Sequence, residues 1–145
     1  MRYLISLIIF FVGIIFMIFV GGGNPLTILD IPSLIAVGLF PFLFVSTLFG
    51  FKEMKLAFSI SRKKEPEKGA LLQALHFFKI YGKATWIAGI ISVFIGIVGM
   101  LANLEDKSAL GPNLALALIS FLYSGIIHMV IIIPFTIFVK KKLKE

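Results

Sequence analysis

Four apolar stretches, Tyr3–Val20, Leu34–Phe51, Ala84–Leu104 and Leu114–Val139, decide what this chain can be. Each is long enough to carry an α-helix across the hydrocarbon core of a bilayer, which takes about 20 residues. None contains an Asp, Glu, Lys or Arg. In a chain of 145 residues the remainder is connecting segments, and no soluble catalytic domain fits beside the spans. Composition agrees, with 59% hydrophobic and 14% charged residues against about 25% charged in an ordinary soluble domain. The expected fold is an all-α membrane protein, one domain over 1–145 with four transmembrane helices and a loop over 52–83. Tyr3–Val20 follows a single Arg as a secretory signal would. It is longer than the apolar core of such signals, and Gly21–Pro25 reads as a turn rather than a cleavage site, so a retained helix is expected.

Several chemistries drop out. Without cysteine there is no disulfide, thiolate metal site or sulfur nucleophile. No metal-ligand or nucleophile spacing occurs, and Gly21–Gly23 lacks the strand and helix that frame a phosphate loop. No metal, no cofactor and no enzymatic activity are expected; His76, in the loop, and His128, near mid-membrane, are badly placed to share a haem. The net charge of +7 would suit nucleic acid. The basic residues, however, sit beside the apolar runs, where they meet anionic lipids and set topology.

Of the 14 basic residues, only Lys107 lies outside the N-terminus, the 52–83 loop and the C-terminal tail. By the positive-inside bias both termini and that loop are cytoplasmic, and the loops around Asp30 and from Glu105 to Gly111 face outward. Arg62–Lys68, with Pro66, reads as a solvated turn. From Gly69 to Lys83, Leu71, Leu72, Leu75 and Phe78 alternate with Gln73, His76, Lys79 and Lys83 at helical spacing, which predicts a short amphipathic cytoplasmic helix. It either lies on the headgroups or extends the third span; the absence of proline from Gly69 to Leu104 favours extension.

Helix faces carry the remaining information. The phenylalanines of the first two spans, among them Phe10, Phe11, Phe16, Phe19, Phe40, Phe42, Phe44, Phe49 and Phe51, read as lipid-facing bulk. In the third span Gly89, Ser92, Gly96, Gly99 and Asn103 recur at spacings of three and four, and in the fourth Ala117, Ser120, Ser124 and His128 do the same. Small residues in such a row let helix backbones approach closely. The two rows pack either within the chain or against partner helices. His128 is the one side chain at membrane depth of a type that ordinarily titrates near neutral pH; it serves either as a hydrogen-bonded structural group or as part of an ion path.

The stretch Leu26–Phe58, with Asp30, Pro32 and Ser33 as an outer-face motif, resembles the second-helix region of the MotA branch of the MotA/TolQ/ExbB proton-channel family. Ile95–Phe135 resembles that family's third and fourth helices. It has a Gly-rich helix, Asn103–Leu104, a short outer loop, Leu110–Gly111–Pro112, Leu122–Tyr123 and a late Pro134. The resemblance implies an A-type subunit in a bacterial inner membrane, a homo-pentamer ringing the single-span helices of B-type subunits whose membrane aspartate carries the ion. Ion flow, proton or sodium, is then coupled to movement as in a flagellar stator. The faces bearing Ser92, Gly96, Gly99 and Asn103, and Ala117, Ser120, Ser124 and His128, would meet the pore or the partner. Trp86 stands where the family has proline, Ser92–Val93 replaces a Gly-Thr pair and Ser120–Phe121 replaces paired threonines, so Trp86 and Phe121 are candidates to plug a pore. The short 52–83 segment takes the place of the large cytoplasmic domain of flagellar members. The rival expectations are a non-conducting scaffold or regulator and a partner-free homo-oligomeric channel.

Overall fold

The computed structural model describes residues 2–60 and 66–144, and the chain divides into two compact units, Met1–Ile31 and Pro32–Glu145. The expected turn at Arg62–Lys68 lies outside the described residues over 61–65.

In the first unit, α1 (Arg2–Val20) is a continuous apolar helix none of whose described side chains is buried. It stops at the glycines. Gly22 takes φ +71°, and the N–H groups of Gly22 and Gly23 bond back to the carbonyls of Phe19 and Ile18, the paired closure that a left-handed residue makes possible at a helix end. Asn24 then caps a 3₁₀ turn over Pro25–Ile28, its side chain accepting from the Leu26 N–H at 3.0 Å.

In the second unit, α2 (Ile31–Leu34), a π turn over Ile35–Leu39 and α3 (Phe40–Phe49) form one apolar rod. A second rod comprises α6 (Lys107–Ile127), a π turn over His128–Ile132 and α7 (Ile133–Lys142). The two π turns share a cause. Proline lacks an N–H and its ring crowds the carbonyl four residues back. The helix widens ahead of Pro41 and Pro134, so that Phe40 bonds to the Ile35 carbonyl and Ile133 to that of His128.

Gly50, at φ +94°, separates α3 from α4 (Phe51–Ser59). Unbroken by proline, α5 runs 35 residues from Lys68 to Ala102, so the helix of the middle loop and the third span are one rod. With α1, these make four helical rods long and apolar enough to cross a membrane, in an all-helical chain. Asn103–Asp106 is the whole of the turn into α6, which begins at Lys107, earlier than an outer loop reaching Gly111 would allow. Asp106 caps that start, accepting from the Ser108 N–H at 2.9 Å.

Bulk fills one end of the second unit. Leu71, Ala74, Phe77, Phe78 and Tyr81 of α5 are buried, with Met54, Ala57 and Ile60 in and after α4 and Val139 of α7. Leu72, one of the apolar residues that marked the amphipathic helix, points outward, because the neighbours of α5 lie on the side of Leu71 and Phe78. Phe58 meets Phe78 edge-on at 5.1 Å, Phe49 meets Phe77 at 5.6 Å, and Phe135 stacks on Phe78 at 5.2 Å. The expectation of lipid-facing phenylalanines therefore needs correcting. Phe11, Phe16, Phe19, Phe40, Phe44 and Phe51 are exposed, but Phe42 and Phe49 turn into this cluster. From α7, Lys142 Nζ donates to the Ile60 carbonyl at 3.3 Å, a cation on the C-terminal end of α4.

Candidate functional site: the seam between the long helices

Helices α5 and α6 approach closely. A Cβ built on Gly96 would stand 2.6 Å from the Ala117 Cβ and 2.8 Å from the Asn113 carbonyl oxygen, and one on Gly89 would collide with Ser124 Oγ. At Gly99 it would meet Asn113 Oδ1 at 2.9 Å. Glycine is thus required by contact with the neighbouring helix. The two rows of small residues pack against each other within one chain.

Hydroxyls line this seam. Ser120 Oγ donates to Ser33 Oγ of α2 at 2.9 Å, and Ser124 Oγ points to the Thr85 carbonyl at 3.3 Å and to that of Ser120 at 3.2 Å. Thr85 Oγ1 donates to the Tyr81 carbonyl at 2.9 Å, and the Tyr81 hydroxyl makes a long 3.4 Å bond to the Gly38 carbonyl in the first π turn. Ser33, Thr85, Ser120 and Ser124 are fully buried. Among the described residues every buried side-chain nitrogen and oxygen has a partner, as an interface away from water requires. The seam carries hydroxyls and carbonyls but no carboxylate. Among the described residues no three His, Cys, Asp or Glu side chains gather to hold a metal ion.

At the end of the α6 row, opening the second π turn, is His128. Its Nδ1 lies 3.1 Å from the Ser124 carbonyl. Since a carbonyl only accepts, Nδ1 carries the proton, and in the neutral form of the ring Nε2 is left as an acceptor. Gly82 makes the room: a Cβ there would be 3.1 Å from Nε2. The Trp86 ring lies over the imidazole, centroids 4.9 Å apart, and touches Phe121 at 5.3 Å. His128 is half-buried, whereas Trp86 and Phe121 are 36% and 45% exposed, so this aromatic group opens on the outside of the unit.

The other expected positions are spread out. Ser92 is half-buried, one turn along from Gly89, and exposed Asn103 closes the end of α5 by donating from Nδ2 to the Gly99 carbonyl at 2.8 Å. Of the outer-face motif, Asp30 precedes α2, Pro32 is exposed in its first turn, and only Ser33 reaches the seam. Gly82, Thr85 and Asn113 belong to the site and were not singled out from sequence. Gly82 and Thr85 continue the Gly89 row backward at spacings of three and four, a signal that was present.

Residues 51–145 match the MotA/TolQ/ExbB proton channel family. The chain belongs to that family. The match begins at Phe51 and takes in α4, α5, α6 and α7, with the whole α5–α6 seam; of the Leu26–Phe58 stretch it includes only the end. Among relatives, Motility protein A of Borreliella burgdorferi is 44% identical over 57 residues, covering 39% of this chain and 22% of that protein. Motility protein A of Aquifex aeolicus is 47% identical over 57 residues, 39% of this chain and 21% of that one. The chemotaxis protein PomA of Vibrio alginolyticus is 34% identical over 62 residues, 43% and 24% respectively. Each match spans less than a quarter of the relative's length. Membership in a proton-channel family and four membrane-length apolar helices make this a multi-pass membrane protein.

Proposed function

We propose that this chain is an A-type subunit of an ion-driven complex in a bacterial inner membrane. In this reading it forms a homo-pentameric ring around single-span B-type helices and couples proton or sodium flow to movement, without catalysis of its own. Both termini and the 52–83 segment are cytoplasmic, a placement supported by the one-sided distribution of basic residues. The base of α5, over Gly69–Lys83, is then the amphipathic cytoplasmic extension of the third span.

The observation that carries the reading is His128. It places a proton acceptor at membrane depth, half-open on the flank of the bundle, beside a hydroxyl seam that supplies no carboxylate. A polar ring facing hydrocarbon is costly without a partner. A protonated carboxyl on a B-type helix is the complementary group, and in this arrangement His128, Trp86 and Phe121 face it. Reconstitution of the purified chain with its single-span partner in liposomes, followed with a pH-sensitive dye, tests this. Flux is expected, and His128→Leu should abolish it with assembly intact; flux unchanged in His128→Leu removes His128 from the path.

One observation favours the non-conducting scaffold as the second reading. The Trp86 and Phe121 rings close over the flank of the seam, and the seam itself is filled by intrachain packing. A complex assembled with its aspartate-bearing partner that passes no ions in the same liposomes would put the scaffold first.

A further inference from the structure

Beyond Pro134, α7 presents two different faces. Val139 is fully buried and Lys142 reaches inward to the Ile60 carbonyl, so this side fastens the tail to the end of α4. Ile137, Lys140 and Lys141 lie on the other side and, with Leu143 and Lys144 just past the helix end, line an open cavity of about 520 Å³. Ile137 and Lys141 are one helical turn apart, with Lys140 beside them, so ammonium groups and apolar carbons share the wall. The cavity sits where the sequence passes from the apolar run ending at Val139 to four lysines in five residues, Lys140 to Lys144. Among the described residues no ion pair neutralises Lys140, Lys141 or Lys144.

We infer that this cavity binds the phosphate headgroup of one anionic phospholipid, with an acyl chain laid along Ile137. Two features select a lipid over free phosphate. Ile137 is exposed on the approach from the apolar side, and lysine stems lie along apolar surface while their charged ends reach headgroup level. The charge selects an anionic over a zwitterionic headgroup, since each lysine near a membrane surface contributes about 1 kcal/mol of attraction, or about fivefold in affinity. Lys142 is already committed to the α4 end and takes no part. The inference rests on the apolar helices crossing a membrane and not on the ion-driven reading.

The test uses the full chain purified in mild detergent, with native mass spectrometry of retained lipid after incubation with phosphatidylglycerol, phosphatidylcholine or inorganic phosphate. One phosphatidylglycerol per chain should be retained, phosphatidylcholine should not, and phosphate should fail to displace the lipid. The triple variant Lys140→Gln, Lys141→Gln, Lys144→Gln should lower retention roughly a hundredfold. The variant Lys52→Gln, Lys55→Gln, Lys79→Gln removes the same charge elsewhere and should retain the lipid. Ile137→Ser, at an exposed position, should weaken retention with every lysine present, which keeps the inference testable if the triple variant does not fold. Equal loss in both triple variants would reduce the site to a general surface field. Undiminished binding in the tail variant, or displacement by phosphate, would overturn the site outright.

Discussion

The two halves of α5 are held by different physics. Toward Lys68 the helix is clasped by rings, with Phe77, Phe78 and Tyr81 among Phe42, Phe49, Phe58 and Phe135. Toward Ala102 it has no buried ring, and Gly89 and Gly96 bring it against Ser124, Ala117 and Asn113. The difference follows from solvent. In the proposed topology the ring-filled half takes in the Gly69–Lys83 extension, at whose water-exposed end excluding water from apolar area drives packing, and only its Phe42 and Phe135 contacts reach into the spans. The glycine half lies in hydrocarbon, where lipid is as apolar as leucine and helices gain only from close approach and hydrogen bonds. One continuous helix therefore tolerates opposite kinds of error at its two ends.

The largest effect should come from enlarging the seam. Gly96→Leu would drive a side chain into the Ala117 Cβ and the Asn113 backbone oxygen, and a backbone oxygen cannot rotate away. The cost should exceed the about 1–3 kcal/mol of ordinary overpacking and separate α5 from α6. The single tryptophan reports on it, since Trp86 on α5 touches Phe121 on α6. Its emission should change and resistance to SDS unfolding collapse; a variant with unaltered emission and resistance would mean the seam has slack.

Next comes the opposite error at the other end. Phe78 is fully buried and contacts Phe58, Phe77 and Phe135. Truncation to alanine should cost about 3–5 kcal/mol, measured by SDS or denaturant titration, with the Trp86 signal native below the transition. If Phe78→Ala disturbs Trp86 at rest as much as Gly96→Leu does, the two halves are one cooperative unit and the contrast fails.

Hydroxyl deletion should be milder. Ser120→Ala removes the donor to Ser33 Oγ, and interhelical hydrogen bonds in membranes are worth about 0.6 kcal/mol on average and about 1.7 at most. A loss above that range in the same titration would show the Ser33, Ser120 and Ser124 ladder acting as a network.

The sequence announces the rods because an apolar run of membrane length has few alternatives, and periodicity announces which faces of α5 and α6 are small. Periodicity cannot say what meets a face. The seam rows that could have turned to partner helices close on each other, through contacts such as Gly96 with Ala117 that no local pattern encodes. Phe42 and Phe44 read alike in the chain, yet Phe42 enters the ring cluster and Phe44 is exposed, since helical register separates them and the positions of α4 and α5 decide which side is inner. The π turns are half legible: Pro41 and Pro134 mark where a helix must adjust, but not that it widens instead of breaking. Lys142 on the Ile60 carbonyl joins residues far apart in sequence and left no trace there.

The smallest effect should lie at the turn where α6 starts. Asp106 accepts from the Ser108 hydroxyl and N–H, and these bonds, the hydroxyl foremost, hold its carboxyl below the usual carboxylate range. A group whose pKa is lower folded than unfolded stabilises above its unfolded value and loses that contribution as pH falls through its folded value. The carboxylate is fully exposed and screened by salt, so the consequence is local fraying of the first turn. Amide exchange at Ser108 and Ala109, corrected for intrinsic rates, should show protection lost on acidification below the normal Asp range. Asp106→Asn can still cap through its amide oxygen but has no proton to gain, so its protection should be flat across the same pH interval. If the asparagine variant keeps the acid dependence, the titrating group is not Asp106, and its side chain caps α6 without regard to charge.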